Sequence, residues 1–261
     1  MSASHELSGP ITQGVYGHVA VEYRRFAFRA VRSRVAAVAL YAMAMGYVEA
    51  AAVLYIRTVY GGVDPLGPRH WPVAPLPDLG GIEIGREAAT LVMLAAVGWL
   101  AGRRTAERVG AFLIAFGLWD VWYYVFMWLF TRWPATPLAP DVLFLIPLPW
   151  WGPVLAPALI ALVMAVGGGL MMARAQGDGV PRPDGWVWLL VATGGVLCLT
   201  AFLAGALAAL PRGVDAAFAT HGGPFPWPVY LAGLALGMLG LLRVVARGRT
   251  LPAQESVSAP A

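Results

Sequence analysis

Long apolar segments, separated by short polar ones, are the most regular feature of the sequence. Each has about 20 mainly apolar residues, which at about 1.5 Å per residue is enough for a helix to cross about 30 Å of hydrocarbon. The predicted spans are 35–56, 82–101, 109–130, 151–172, 185–210 and 228–246. We therefore predict an all-α fold, a polytopic transmembrane helix bundle with about six spans.

The N-terminal region has a different pattern. In residues 17–34, apolar side chains recur at helical spacing and arginines lie mostly between them. This pattern predicts an amphipathic basic helix at the membrane surface, or alternatively a positively charged flank that only sets topology. Residues 1–15 are polar and are predicted to be disordered. The chain is thus divided into a cytoplasmic segment 1–34, a membrane domain 35–246 and a disordered cytoplasmic tail 247–261.

The fourth apolar segment contains four prolines, Pro147, Pro149, Pro153 and Pro157. Each removes a backbone donor, so a helix through this region must kink or begin again. We predict a short segment at 141–148 followed by the helix 151–172, which together form a Pro-broken fourth span. The short segment is either re-entrant, as in the discontinuous helices of transporter sites, or an interfacial kink.

Glycines spaced four residues apart occur in two spans, at Gly98 and Gly102 and at Gly233 and Gly237. This spacing is more typical of close helix contact than of chemistry. A glycine triplet at 167–169 is interpreted as either a flexible point or a site of close packing.

Composition supports lipid as the main solvent. Charged residues make up 12% of the chain and the mean hydropathy is +0.68, whereas a soluble domain carries about 25% charged residues. The 18 basic residues are all arginine and lie beside apolar spans, which argues against a nucleic-acid partner. Without lysine, a Schiff base or lysine nucleophile is excluded.

Cysteine and histidine usage restricts the chemistry further. Cys198 is the single cysteine, so no internal disulfide can form. The four histidines lie outside the predicted spans, which argues against a haem or zinc site built between helices. We expect no cofactor and no metal.

Arginine also predicts orientation. With six spans both termini lie on one side, where 13 of the 18 arginines fall. The positive-inside rule then places both termini in the cytoplasm of a bacterial-type inner (plasma) membrane. Five tryptophans are predicted to form an aromatic belt at the opposite interface: Trp71, Trp133, Trp150, Trp151 and Trp227.

Acidic residues inside the spans are the candidate site. Glu49 and Glu87 lie at similar depth on antiparallel spans, and Asp120 lies near mid-membrane. Glu83, Arg86, Glu87 and Thr90 form one stripe at three- and four-residue spacing. The predicted buried polar cluster is Glu49, Glu83, Arg86, Glu87 and Asp120. Its predicted supporting residues are Arg57, Thr90, Tyr123, Tyr124 and Asp141. The cluster is either a functional site open to the non-cytoplasmic face or a structural clamp that fixes helix register.

Three function classes remain. The sequence lacks a recognisable chemical motif, which favours an accessory or structural subunit of a membrane complex, with the bilayer and other membrane subunits as partners. The first alternative is a transporter-like protein that binds an ion or small polar solute at the cluster. The second is a membrane-embedded enzyme that acts on a lipid or isoprenoid, with a carboxylate as general acid.

Overall fold

The computed structural model describes residues 10–61, 80–175, 183–220 and 223–247. It confirms the all-α fold, and six of its helices are long and apolar enough to cross a membrane. The elements in chain order are α1 Pro10–Gly61, α2 Gly80–Ala101, α3 Thr105–Thr131, β1 Pro140–Val142, β2 Trp151–Pro153, α4 Leu155–Arg174, α5 Gly185–Ala209, α6 Val214–Phe218 and α7 Trp227–Arg247. The chain is therefore a multi-pass membrane protein.

Helix α1 is one continuous helix of 52 residues. Its membrane-crossing part is Arg29–Thr58, so the predicted basic helix at 17–34 is continuous with span 1. The expectation of disorder is wrong for residues 10–15, which form the first turns of α1. A proline is well tolerated in the first turn of a helix, where its missing N–H has no partner to lose. Residues 1–9, and 248–261 of the predicted tail, lie outside the described residues.

Hydrogen bonds identify the two ends of the bundle. At one end, Arg34 of α1 contacts Glu107 at the start of α3 at 2.7 Å and the carbonyl of Ala101 at the end of α2 at 3.1 Å. At the other end, the Tyr230 hydroxyl of α7 donates to the carbonyl of Ala156 at the start of α4 at 2.6 Å. The Arg104 side chain, at the start of α3, donates to the carbonyl of Ala175 at the end of α4 at 3.4 Å, so α4 runs antiparallel to α3, as α2 does to α1. We call the end at Arg34 the terminal end. We call the end at Tyr230 the hairpin end, after the short β-hairpin formed by β1 and β2.

Helix α3 occupies the centre of one half of the bundle, where it packs against α1, α2 and α4. In the other half, α7 packs between α4 and α5. Glycines allow the closest approaches: a Cβ at Gly194 of α5 would lie 2.7 Å from the carbonyl oxygen of Gly233 of α7. The contact expected from the glycine spacing of the sixth span is thus present at Gly233.

The glycine triplet of α4 is a packing site at two of its three positions. A Cβ at Gly168 would clash with the carbonyl oxygen of Gly110 on α3, and a Cβ at Gly167 would clash with Leu241 on α7. At Gly169 nothing lies within 4 Å of the added atom. Close packing, the second interpretation of the triplet, is therefore correct for Gly167 and Gly168.

The break predicted within the fourth span lies before the helix. Strands β1 and β2 form an antiparallel hairpin in which Asp141 faces Gly152, and we call residues 140–153 the hairpin. Pro147 and Pro149 lie in its loop, where their missing donors do not interrupt a helix. Helix α4 begins at Leu155 rather than at residue 151, and Pro157 falls in its first turn. The prediction of a short segment followed by a separate helix is therefore confirmed. The helix itself is continuous, because its first turn requires no N–H from Pro157.

Two tryptophans of the predicted belt are packed inside the protein. Trp133 is 5% exposed and Trp151 is 9% exposed, so neither presents its ring to the headgroups as the sequence suggested. Trp133 packs against the ring of Tyr124 of α3, and Trp151 is the first residue of β2. Trp71 lies outside the described residues.

The glycine contact between α3 and α4 gives a matched test. We expect Gly168→Val to destabilise the protein by about 1–3 kcal/mol, because the added methyl groups overpack the contact with Gly110. Gly169→Val, one residue along the same helix, should change stability by less than about 0.5 kcal/mol. Thermal unfolding in detergent measures the stability of both variants, with the chemical labelling of the buried Cys198 thiol as the readout. Equal effects of the two substitutions would contradict the close approach.

Candidate functional site

An ion-pair group joins α1 and α2 near the hairpin end. Arg86 Nε lies 3.0 Å from both Glu83 carboxylate oxygens, one turn earlier on α2. The Arg86 guanidinium also pairs with Glu49 of α1, and the Thr90 hydroxyl lies 3.3 Å from Glu49 Oε2. Since α1 and α2 pack mainly on α3 rather than on each other, this group is the principal link between them. We call Glu49, Glu83, Arg86 and Thr90 the Arg86 group.

Glu87 faces away from Arg86 and binds the hairpin. Both of its carboxylate oxygens accept the backbone N–H of Leu145, at 3.0 and 2.9 Å. The last ladder bonds of the hairpin connect Leu143 with Trp150 and Trp150 with Phe144, so Leu145 lies beyond them. Glu87 is 5% exposed. An acceptor for an otherwise unsatisfied backbone donor is an important contact in such buried surroundings.

A second group attaches the hairpin to α1 and α3. Asp141 of β1 accepts from Arg57 of α1 at 2.9 Å and from the Tyr124 hydroxyl of α3 at 3.2 Å. The Arg57 guanidinium also lies 5.0 Å from the centre of the Trp133 ring, and the ring of Tyr123 packs at 4.9 Å from that of Tyr124. We call Arg57, Tyr124 and Asp141 the Asp141 group.

The electrostatics of Asp141 follow from its position. The residue is 3% exposed. Burial raises the pKa of its carboxyl group above the ordinary value, and the adjacent Arg57 guanidinium acts in the opposite direction. The hydrogen bonds from the Arg57 guanidinium and the Tyr124 hydroxyl compensate the carboxyl group of Asp141 for its loss of water.

Asp120 belongs to neither group. Its Oδ2 is buried and has no hydrogen-bond partner in the part of the chain that the structure describes. Asp120 lies one helical turn before Tyr124 on α3. The ten predicted residues are thus arranged as the Arg86 group, a Glu87–hairpin contact and the Asp141 group, with Tyr123 packed beside the last and Asp120 separate.

Sequence reasoning missed one buried acid, Glu107. It is 4% exposed and accepts from Arg34 at 2.7 Å and from the backbone N–H of Arg103 at 2.8 Å. Glu107 lies two residues before the predicted span 109–130 and falls in the first turn of α3 as it forms, where an acid complements the positive end of the helix dipole. Its pairing with Arg34 required the register between α1 and α3, which the sequence does not contain.

Comparisons of this chain with protein-family models, with curated proteins and with solved structures find no match. Among the described residues, no three histidine, cysteine, aspartate or glutamate side chains are placed to hold a metal ion. The carboxylates of Glu49, Glu87 and Asp141 accept hydrogen bonds from other elements of the protein, whereas that of Glu83 accepts from Arg86 on the same helix. The arrangement therefore has one evident physical effect, which is to join α1, α2, α3 and the hairpin.

Glu87 gives a direct test of hairpin attachment. In Glu87→Ala, the Leu145 amide loses its acceptor, and a buried donor left without a partner costs about 1–3 kcal/mol. We expect its hydrogen exchange to accelerate by at least about tenfold, measured by mass spectrometry on peptides that cover the hairpin. Glu83→Ala, on the same helix, should leave this exchange unchanged, because Glu83 contacts Arg86 and not the hairpin. Acceleration in both variants would contradict a specific role for Glu87.

A double-mutant cycle tests the link between α1 and α2. Glu49→Gln, Arg86→Gln and the double variant should show a coupling energy of about 1–2 kcal/mol in denaturant unfolding, because the pair is largely shielded from water. The control cycle uses Asp184 and Arg243, which lie 3.9 Å apart with 33% and 44% side-chain exposure. Its coupling should be below about 0.5 kcal/mol. Equal coupling in the two cycles would mean that the Arg86 pair is no stronger than a surface pair.

Proposed function

We propose that this chain is an accessory or structural subunit of a membrane complex. In this proposal both termini are in the cytoplasm of a bacterial-type inner membrane, and the hairpin end faces the opposite side. The excess of arginine at the terminal end supports that orientation. The observation that carries the proposal is that the charged side chains near the hairpin end are used to fix the hairpin on three helices.

The contacts of the hairpin support this role in two ways. Glu87 attaches its loop to α2, and Asp141 attaches its first strand to α1 and α3. Because the hairpin is attached at both its loop and its first strand, it is suited to present a surface of fixed shape to a partner. Ile146, at the loop of the hairpin, is 36% exposed, so the loop is accessible at the surface of the protein.

The same contacts make the carboxylates poor candidates for catalysis. A general acid or base must exchange a proton with a substrate within hydrogen-bond reach. Glu49, Glu87 and Asp141 instead direct their oxygens at Arg86, Leu145 and Arg57. This geometry favours the structural interpretation of the cluster over the enzymatic one.

Asp120 favours a second candidate, a transporter-like protein that binds a proton or a small cation. Its buried Oδ2 lacks a hydrogen-bond partner among the described residues, and intramembrane ionisable groups often mark ion pathways. In this alternative Asp120 is the binding group, and the neighbouring Asp141 adds negative charge.

Purification from native membranes in mild detergent tests the subunit role. We expect other membrane proteins to co-purify with the wild-type chain and to be largely lost from Glu87→Ala, because this variant releases the hairpin loop while leaving the six spans intact. Val196→Ala is the control, since Val196 is 61% exposed on α5 and makes no hairpin contact. Purification of the wild-type chain alone after chemical cross-linking in the membrane would overturn the proposal.

Proteoliposomes distinguish the second candidate. Wild-type protein and Asp120→Asn are compared for proton and sodium uptake with a pH-sensitive dye and a sodium tracer. Uptake by the wild type that Asp120→Asn abolishes would favour the transporter. Absence of uptake in both would favour the subunit.

A further inference from the structure

A cleft of about 340 Å³ lies on the side of the hairpin away from the ion pairs. The hairpin, α5 and the start of α7 form its walls. Its wall residues include Leu138, Trp151, Ala201, Ala204, Phe225 and Trp227. None of the residues that line it carries an ionisable side chain, in contrast to the charged groups on the other side of the hairpin.

The cleft extends from the interface into the hydrocarbon level. Helix α5 ends at Ala209 at the hairpin end. Ala201 lies eight residues earlier, which places it about 12 Å deeper along the helix axis. Trp227 begins α7 at the same end of the bundle, the level at which tryptophans of membrane proteins commonly lie. One cleft thus spans both the headgroup boundary and the acyl-chain region.

Its walls are preformed. The rings of Phe225 and Trp227 pack edge to face at 5.0 Å, and Phe202 lies 5.5 Å from Phe225. Tyr230 is fully buried behind them, and its hydroxyl is bonded to Ala156. Interlocked aromatic rings of this kind hold a shape with little loss of entropy on binding.

We propose that this cleft binds a hydrocarbon chain of a bilayer lipid from the leaflet at the hairpin end. A phosphate or another charged group would require a charged partner, and none of the side chains that line the cleft is charged. A cleft of this volume falls within the range of about 300–1,000 Å³ typical of small-molecule sites. Lipid chains are the apolar species available at this depth. The inference depends on the cleft alone and not on the proposed subunit role.

Native mass spectrometry after removal of bulk lipid tests the proposal, with phosphatidylethanolamine nanodiscs as the source of lipid. We expect a single lipid to remain on the wild-type chain. Ala204→Trp, which fills the cleft from α5, should reduce retention by at least about tenfold. Val196→Trp places the same side chain on the lipid-facing part of α5 and should retain the lipid. Ala204→Leu fills less space and provides an intermediate variant that is less disruptive to folding.

Photolabelling identifies which part of the lipid occupies the cleft. A diazirine in the middle of the acyl chain should label the peptides that contain Trp151 and Trp227, and this labelling should fall in Ala204→Trp. A diazirine on the headgroup should not label the wall at Ala201. Labelling of that wall by the headgroup probe would overturn the proposal, as would a wild-type chain without retained lipid or equal retention in Ala204→Trp.

Discussion

The hairpin places extended backbone close to the bilayer, and extended backbone in lipid must find every hydrogen-bond partner within the protein. Two strands of three residues satisfy only part of their own donors. Glu87 accepts the Leu145 N–H beyond the end of the ladder, while Asp141 connects the first strand to Arg57 and Tyr124. The carboxyl groups of Glu87 and Asp141 would be unfavourable in lipid, and so would the Leu145 N–H and the Arg57 guanidinium. Each pair forms a hydrogen bond that reduces the cost of burying both partners.

This mutual compensation explains why the charged residues occur where they do. Arg86 satisfies Glu83 and Glu49 on two helices that otherwise pack mainly on α3. At the opposite end, Glu107 and Arg34 join α3 and α1. Buried ion pairs contribute little net stability compared with apolar packing, but they select one arrangement of helices over others. In this bundle the ion pairs add such a selection to the one made by the close glycine contacts between α3 and α4 and between α5 and α7.

Much of the fold could be predicted from the pattern of apolar residues. Six apolar segments form helices close to the predicted positions, for example 82–101 and 185–210, because the thickness of the hydrocarbon core sets the length of a membrane-crossing helix. The course of residues 140–153 could not be predicted in the same way. Prolines at 147 and 149 show that a helix is interrupted, but they do not show that the chain forms a hairpin, since strand pairing depends on contacts with α1, α2 and α3.

The candidate site shows the same division. Three- and four-residue spacing identified Glu83 and Arg86 as neighbours, because both lie on one helix. The pairing of Arg57 with Asp141, and of Glu87 with a backbone amide, depends on how separate elements meet. Asp120 is predicted to belong to the cluster because it is an acid within a span, and its position in the sequence does not specify the direction in which the side chain points around the helix.

The continuity of α1 has a mechanical consequence. Its hydrogen bonding runs unbroken from Pro10 to Gly61 without a proline in between, and proline is the commonest cause of a sharp helix kink. Glu49 and Arg57 lie on this same helix. A torque applied to the helix ahead of its membrane-crossing part would therefore turn both residues together, and with them the anchors of α2 and the hairpin on the far side of the bilayer.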